Sequence, residues 1–266
     1  MLGTLRILIP EPIRKKLRGR HNSIKTRFWD NPRELLTLKL YQLKGKSYLQ
    51  WYAERLDRFA ESDSAVSSGM ADTHRYYLSG DEDLELLIDL GLKPEHKLFE
   101  MGCGFGRSAQ HFVRYLGEKN YVGSEISRGR LRQCEELLRH RGLMDKQPEL
   151  LVNPDNSFDW LGQRTFDFLW AGNVFTHVPP EDMETIMANA HKVMHADSRF
   201  VFTYTRNPDE TMHRHHAKDW DRNYEYFEAL AGRHGFVSEN VSHLSRQRDG
   251  HSPNERMVMY TLRARH

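Results

Sequence analysis

The 266-residue chain has only two cysteines, Cys103 and Cys134. That excludes a disulfide-stapled framework and a four-cysteine zinc site. No apolar run approaches the ~20 residues of a membrane span. The run at the start, Leu5 to Pro10, is too short for a signal peptide, and basic residues follow it rather than precede it. Internal repeats and low-complexity tracts are also missing. The expectation is a soluble, cytoplasmic protein. Core material is not scarce: the chain is 38% hydrophobic and 11% aromatic, with 29% charged residues. That suffices for one large domain, or for one domain with a substantial appendage.

The net charge of +2 conceals an uneven distribution. Residues 1–46 hold 12 Lys/Arg against 3 Asp/Glu, a balance of +9, and the remainder carries −7. A basic arm thus precedes an acidic body. Such an arm favours an anionic partner: a membrane surface, a phosphorylated substrate or nucleic acid. The competing reading is a solvated helical appendage, or one that docks on its own body. Nucleic acid is the weaker partner, because Phe28, Trp29 and Tyr41 are too few and too scattered for a stacking platform. With the arm on anionic lipid, the expected location extends to the inner membrane surface.

Residues 1–32 carry the breakers Pro10, Pro12 and Pro32, and a helical pattern interrupted near Gly45 runs from Glu34 to Phe59. Small polar residues at 61–70 read as a linker. We therefore divide the chain into a basic helical extension, 1–70, and a body, 71–266. In the body, helical and strand patterns alternate. Strands are expected at Leu98–Met101, Tyr121–Glu125, Leu150–Val152, Phe166–Ala171, Phe200–Tyr204, Val237–Leu244 and Met257–Leu262. Helical stripes run through Leu84–Ile88, Ala109–Leu116, Leu131–Leu138, Met183–Met194 and Tyr224–Leu230. This alternation predicts an α/β fold: a doubly wound, mainly parallel seven-stranded sheet with helices on both faces, closed by a late hairpin.

The sharpest local signal is Glu100-Met101-Gly102-Cys103-Gly104-Phe105-Gly106-Arg107, between a strand and a helix. Its glycines let backbone approach a ligand closely, and the helix start offers unpaired N–H groups. A dinucleotide fingerprint would require glycine at position 107, where Arg107 stands, and the Gly-Lys-Ser/Thr of a phosphate loop is also missing. Glu100 is awkward for a pyrophosphate but suits an ammonium group or a bound water. S-adenosylmethionine has that ammonium and no phosphate. Glu125, with Ile126 beside it, ends the next strand, where a carboxylate can accept from both ribose hydroxyls. Asp155 and Asn156 follow the third strand and suit an adenine amino group and a ring nitrogen.

On these residues the chain resembles the class I, Rossmann-like S-adenosylmethionine-dependent methyltransferases, over about residues 72–266. Glu100 to Gly106 resembles their first motif, Glu125 the ribose-binding acid, and Asp155-Asn156 the adenine-contacting pair. Phe166 to Ala171 resembles the fourth-strand motif. Val174 to Pro179 resembles the segment that follows it in many bacterial methyltransferases, including ones of glycan and natural-product pathways. Two departures stand out. Glu occupies position 125 where Asp is commoner, and His195-Ala196-Asp197-Ser198 replaces the usual Pro-Gly-Gly turn.

Methyl transfer from a sulfonium needs alignment and water exclusion, and a base only if the acceptor must lose a proton. His177, after the fourth strand, is a candidate base; its alternative role is to order the loop. Asn173 lies nearer the cofactor. Arg107 is a candidate carboxylate anchor or a surface residue, and Tyr76 and Tyr77 are a candidate lid or core pair. His213, His215 and His216 lie after the fifth strand, as an acceptor-orienting base, a metal site, an anion site or exposed polarity; their spacing fits no standard zinc motif. Cys103 reads as packing rather than as a nucleophile. The expected function is methyl transfer from S-adenosylmethionine to an O or N atom of a small molecule or glycan. The alternatives are a noncatalytic S-adenosylmethionine-binding module, and an RNA methyltransferase that uses the arm.

Overall fold

A computed structural model describes residues 31–62, 79–206, 212–244 and 255–262. The chain forms two compact units, 1–51 and 52–266. The division falls inside a helix, so residues 52–62, grouped with the extension in the sequence, belong to the larger unit.

In the first unit, helix α1 (Asn31–Leu43) precedes the start of α2 (Tyr48–Ser62). The break between them is Gly45, at φ +71°, a left-handed conformation that glycine adopts without strain. The indole of Trp51 is buried and donates to Thr37 Oγ1 at 3.2 Å.

The second unit is built on a seven-stranded sheet. Its strands are β1 (Leu98–Met101), β2 (Tyr121–Glu125), β3 (Glu149–Val152), β4 (Phe166–Ala171), β5 (Met194–Thr205), β8 (Phe236–Asn240) and β9 (Glu255–Leu262). They lie in the order β3-β2-β1-β4-β5-β9-β8. β1 to β5 are mutually parallel, and β9 runs antiparallel to both β5 and β8. The doubly wound sheet expected from the sequence is therefore present.

Helices cover both faces, which explains the near-continuous apolar strands. Side chains of a strand alternate between faces. Phe99 and Met101 of β1, and Phe200, Phe202 and Tyr204 of β5, enter one core with α6 (Pro180–Ala190) and α7 (Tyr224–Arg233). Leu98 and Val201 enter the other, with α3 (Gly80–Asp89), α4 (Ala109–Tyr115) and α5 (Arg128–His140). Where a Pro-Gly-Gly turn was lacking, Ser198 serves. Its buried hydroxyl donates to the Phe166 carbonyl at 2.6 Å and accepts from the His195 N–H at 2.8 Å. β5 consequently begins at Met194, six residues before the expected start.

A second small sheet was not expected. β6 (Met212–His216) and β7 (Asp219–Arg222) form an antiparallel hairpin after β5. His213, His215 and His216, read from the sequence as part of a loop, are on β6, and their side chains lie outside the described residues. Tyr76 and Tyr77 also lie outside them.

Candidate active site

Parallel strands discharge their loops at one edge. The chain leaves β1 at Gly102, β2 at Ile126, β3 at Asn153 and β4 at Gly172, with β1 between β2 and β4. This is the point where strand order reverses, the usual ligand crevice of an open α/β sheet.

The three glycines of the first loop have different reasons to be glycine. All have positive φ: +78° at Gly102, +55° at Gly104 and +89° at Gly106. A Cβ on Gly102 would lie 2.5 Å from Val174 Cγ2, and one on Gly106 3.1 Å from Cys134 Sγ. At those two positions the protein's own packing already requires glycine. A Cβ on Gly104 would meet only Glu125 Oε2, at 3.9 Å. Gly104 alone borders open space.

Glu125 is buried and fastened at both oxygens. Oε2 accepts from the Gly104 N–H and Oε1 from the Ser127 N–H, each at 3.0 Å. Burial pushes its carboxyl up, opposed by the Arg130 charge and these backbone donors. Each oxygen has two acceptor sites, so this anchoring leaves capacity for hydroxyl donors. Ile126, half-buried, joins Glu125 to Ser127. Ser127 caps α5 by accepting from the Arg130 N–H at 3.1 Å. Asp57 of α2 accepts from the Ser127 hydroxyl at 2.6 Å and from the Gly129 N–H at 2.9 Å. Asp57 was not singled out in the sequence, since only folding brings it 70 residues along the chain to Ser127.

Glu100 is buried too, and its Oε2 accepts from the Tyr121 hydroxyl at 2.6 Å. Burial pushes its carboxyl up to about 7, with the Tyr121 hydrogen bond opposing. An ammonium or a water was the expected partner; within the protein the partner is Tyr121. Asp155 is exposed, and its Oδ1 accepts from the Ser157 N–H at 2.8 Å. Half-buried Asn156 follows it. Buried Asn153 ties this loop down, accepting from the Asp155 N–H at 3.1 Å and donating its own N–H to the Glu125 carbonyl at 3.0 Å.

The neighbouring Cys134 and burial raise the Cys103 thiol far above its ordinary range. That fits packing, since reactive cysteines have lowered values. Arg107 is largely buried rather than a surface residue. It pairs with buried Asp83 at 2.5 Å and donates to the Ser79 carbonyl at 3.0 Å.

After β4, Asn173 sits at φ +58°, rare for a non-glycine residue, and donates its N–H to Thr203 Oγ1 at 2.8 Å. A short helical turn, Phe175–His177, follows. His177 Nδ1 lies 2.7 Å from Asp219 Oδ1 and 3.2 Å from the Lys218 carbonyl. Both neighbours only accept, so Nδ1 carries the hydrogen and Nε2 is the basic nitrogen of the neutral ring. Lys218 Nζ brackets the same carboxylate at 2.8 and 3.1 Å. Burial pushes the Asp219 carboxyl up, but its His177 hydrogen bond and the Lys218 charge outweigh burial and hold it well below the ordinary range.

The turn carrying His177 is clamped from β7. Arg222, fully buried, donates to the Phe175 carbonyl at 2.8 Å and to the Val178 carbonyl at 2.5 Å. It thus brackets Thr176 and His177. The Tyr52 ring lies 5.7 Å from the His177 ring, centroid to centroid. Burial pushes the Tyr52 phenol up, against the charges of Arg130 and Arg55, so Tyr52 presents a neutral hydroxyl group. His177 was singled out in the sequence as a candidate base. Its orienting carboxylate was not, because the hairpin that delivers Asp219 has no apolar alternation to announce it.

Residues 99–200 match the family model described as a methyltransferase domain. Methyltransferase GfsG of Streptomyces halstedii is 27% identical over 124 residues, which span 46% of this chain and 43% of that protein. Two solved structures share the fold. The TehB-like SAM-dependent methyltransferase of Corynebacterium glutamicum aligns over 81% of this chain and 98% of its own, at 17% identity and a TM-score of 0.51. The magnesium protoporphyrin IX methyltransferase of Synechocystis, with bound SAH, aligns over 76% and 89%, at 15% identity and a TM-score of 0.54. Residues 99–200 are thus similar to a methyltransferase domain, and the chain has the Rossmann-like fold of these S-adenosylmethionine-dependent methyltransferases.

Proposed function

We propose that the protein is an S-adenosylmethionine-dependent methyltransferase that methylates a hydroxyl group of a small-molecule or glycan acceptor. The residues present suit the cofactor. Gly104 borders open space, and the two oxygens of Glu125 retain acceptor capacity for ribose hydroxyls. Asp155 and Asn156 stand at the end of the third strand for the adenine, and Glu100 supplies a buried carboxyl for the ammonium. When bound, S-adenosylmethionine supplies an electrophilic methyl group on a sulfonium. The acceptor class rests on the resemblance of Val174–Pro179 to glycan and natural-product methyltransferases.

The observation that carries the choice of oxygen is the 2.7 Å contact between His177 Nδ1 and Asp219. A neutral amine acceptor needs only alignment, whereas a hydroxyl must shed a proton as it attacks. His177 Nε2 takes that proton, Asp219 stabilises the resulting imidazolium, and Arg222 holds the turn on which the ring is mounted. The test is His177→Ala, assayed with methyl-labelled S-adenosylmethionine against hydroxyl-bearing and amine-bearing acceptor pools. Transfer to hydroxyls should fall ~10²–10⁴-fold with cofactor affinity retained. Undiminished hydroxyl transfer, or transfer to amines alone, would overturn the reading.

A further inference from the structure

Helix α1 exposes three large apolar side chains: Leu36 at 58%, Leu40 at 47% and Leu43 at 84% exposure. At about 100° per residue they fall within an arc of about 60°. Helices of a packed unit normally turn such a stripe inward, and α1 does so on another face, through buried Leu38. The outward stripe is therefore a second apolar face.

Its borders are cationic. Arg33 lies on one flank and Lys39 on the other, both exposed, and exposed Lys44 and Lys46 follow at the C-terminal end. The helix's acidic residue, Glu34, points away, about 150° from the centre of the leucine arc. Residues 1–30, directly before the helix, add 8 Lys/Arg against 2 Asp/Glu. An apolar strip edged by cations matches an interfacial helix lying on a bilayer, with leucines among the acyl chains and cations at headgroup level. A purely apolar protein partner would not call for this charge. A nucleic acid would not call for the leucines. Among the described residues no helix is long and apolar enough to cross a membrane.

We propose that α1 forms a docking surface for an anionic lipid bilayer, with Leu36, Leu40 and Leu43 inserted at the interface and Arg33, Lys39 and Lys44 at headgroup level. One shallow apolar strip binds weakly, and each nearby cation strengthens attachment to an anionic leaflet. Binding should therefore need both features.

Vesicle flotation of the full chain tests this directly. Protein should float with vesicles containing phosphatidylglycerol, and much less with pure phosphatidylcholine. Salt should release it over the range that screens surface charge. The triple variant L36S/L40S/L43S should lose about tenfold or more in partitioning, and R33E/K39E a similar amount. All five side chains are on the exposed face, so melting temperature should stay near wild type. Flotation unaffected by the leucine changes, or equal on both vesicle types, would overturn the proposal. So would a wild-type dimer in solution that the leucine variant dissolves, which would assign the face to a second copy of the chain. Salt-sensitive RNA retention without flotation would assign the cations to nucleic acid and leave the bilayer without support.

Discussion

Replacing Asp219 by Asn isolates what the carboxylate does for His177. The variant keeps the side chain's size and its place on β7, but it removes the charge 2.7 Å from Nδ1 and the ion pair with Lys218. A hydrogen bond to a charged group contributes roughly 1.5–3 kcal/mol, against about 1 kcal/mol for a neutral pair. The imidazolium exists only once the acceptor proton has arrived, so most of that difference falls on the transition state. At ~1.4 kcal/mol per decade, kcat should drop about tenfold, and up to roughly a hundredfold if the amide also turns its NH₂ toward the ring. Cofactor affinity should not change, because the glycine loop and Glu125 are untouched. Single-turnover transfer of labelled methyl to the hydroxyl pool, paired with calorimetric titration of S-adenosylmethionine, separates the two quantities. Wild-type turnover in the variant would refute the dyad. A loss of cofactor affinity with turnover intact would place Asp219 in binding instead.

Two further substitutions test separate parts of the account. Gly104→Val should abolish S-adenosylmethionine binding while the protein still folds, at a stability cost of ~1–2 kcal/mol for a β-branched residue at φ +55°; wild-type affinity in a calorimetric titration would contradict the placement of the ligand. Glu100→Gln tests the buried carboxyl. Its value is raised to about 7 in the folded state, so the folded protein holds that proton more tightly than the unfolded chain does. Wild-type stability from this group should therefore fall as pH rises from about 4.5 to about 7 and then level off. The glutamine variant, which can still accept from Tyr121, should equal wild type in acid and exceed it by up to about 3 kcal/mol above pH 7. Denaturant unfolding across pH measures this, and parallel curves for the two proteins would refute it.

The fold was legible because a parallel sheet buried on both faces writes itself as short apolar runs. Leu98–Met101 and Phe166–Ala171 are such runs, each with one acid in it, and the helices between them carry 3.6-residue stripes. The position of the glycines and acids at strand ends was legible for a related reason, since it needs only local sequence. What the sequence hid is tertiary. That Val174 and Cys134 pack against Gly102 and Gly106 cannot be read from the loop itself. Asp219, Asp57 and Arg222 act on residues more than 40 positions away, and nothing in their own neighbourhoods announces a partner. The hairpin carrying Asp219 and Arg222 is rich in charged and histidine residues, so neither periodicity nor propensity distinguishes it from a loop.

The most direct test of the central claim, that the crevice at Gly104 and Glu125 is built for S-adenosylmethionine, is thermal unfolding of the wild-type protein with each candidate ligand. At a concentration a hundred times the dissociation constant, a ligand that binds only the folded state adds about 2.7 kcal/mol of stability. S-adenosylmethionine should raise the melting temperature by several degrees, and NAD should leave it unchanged. A rise with NAD and none with S-adenosylmethionine would contradict the account.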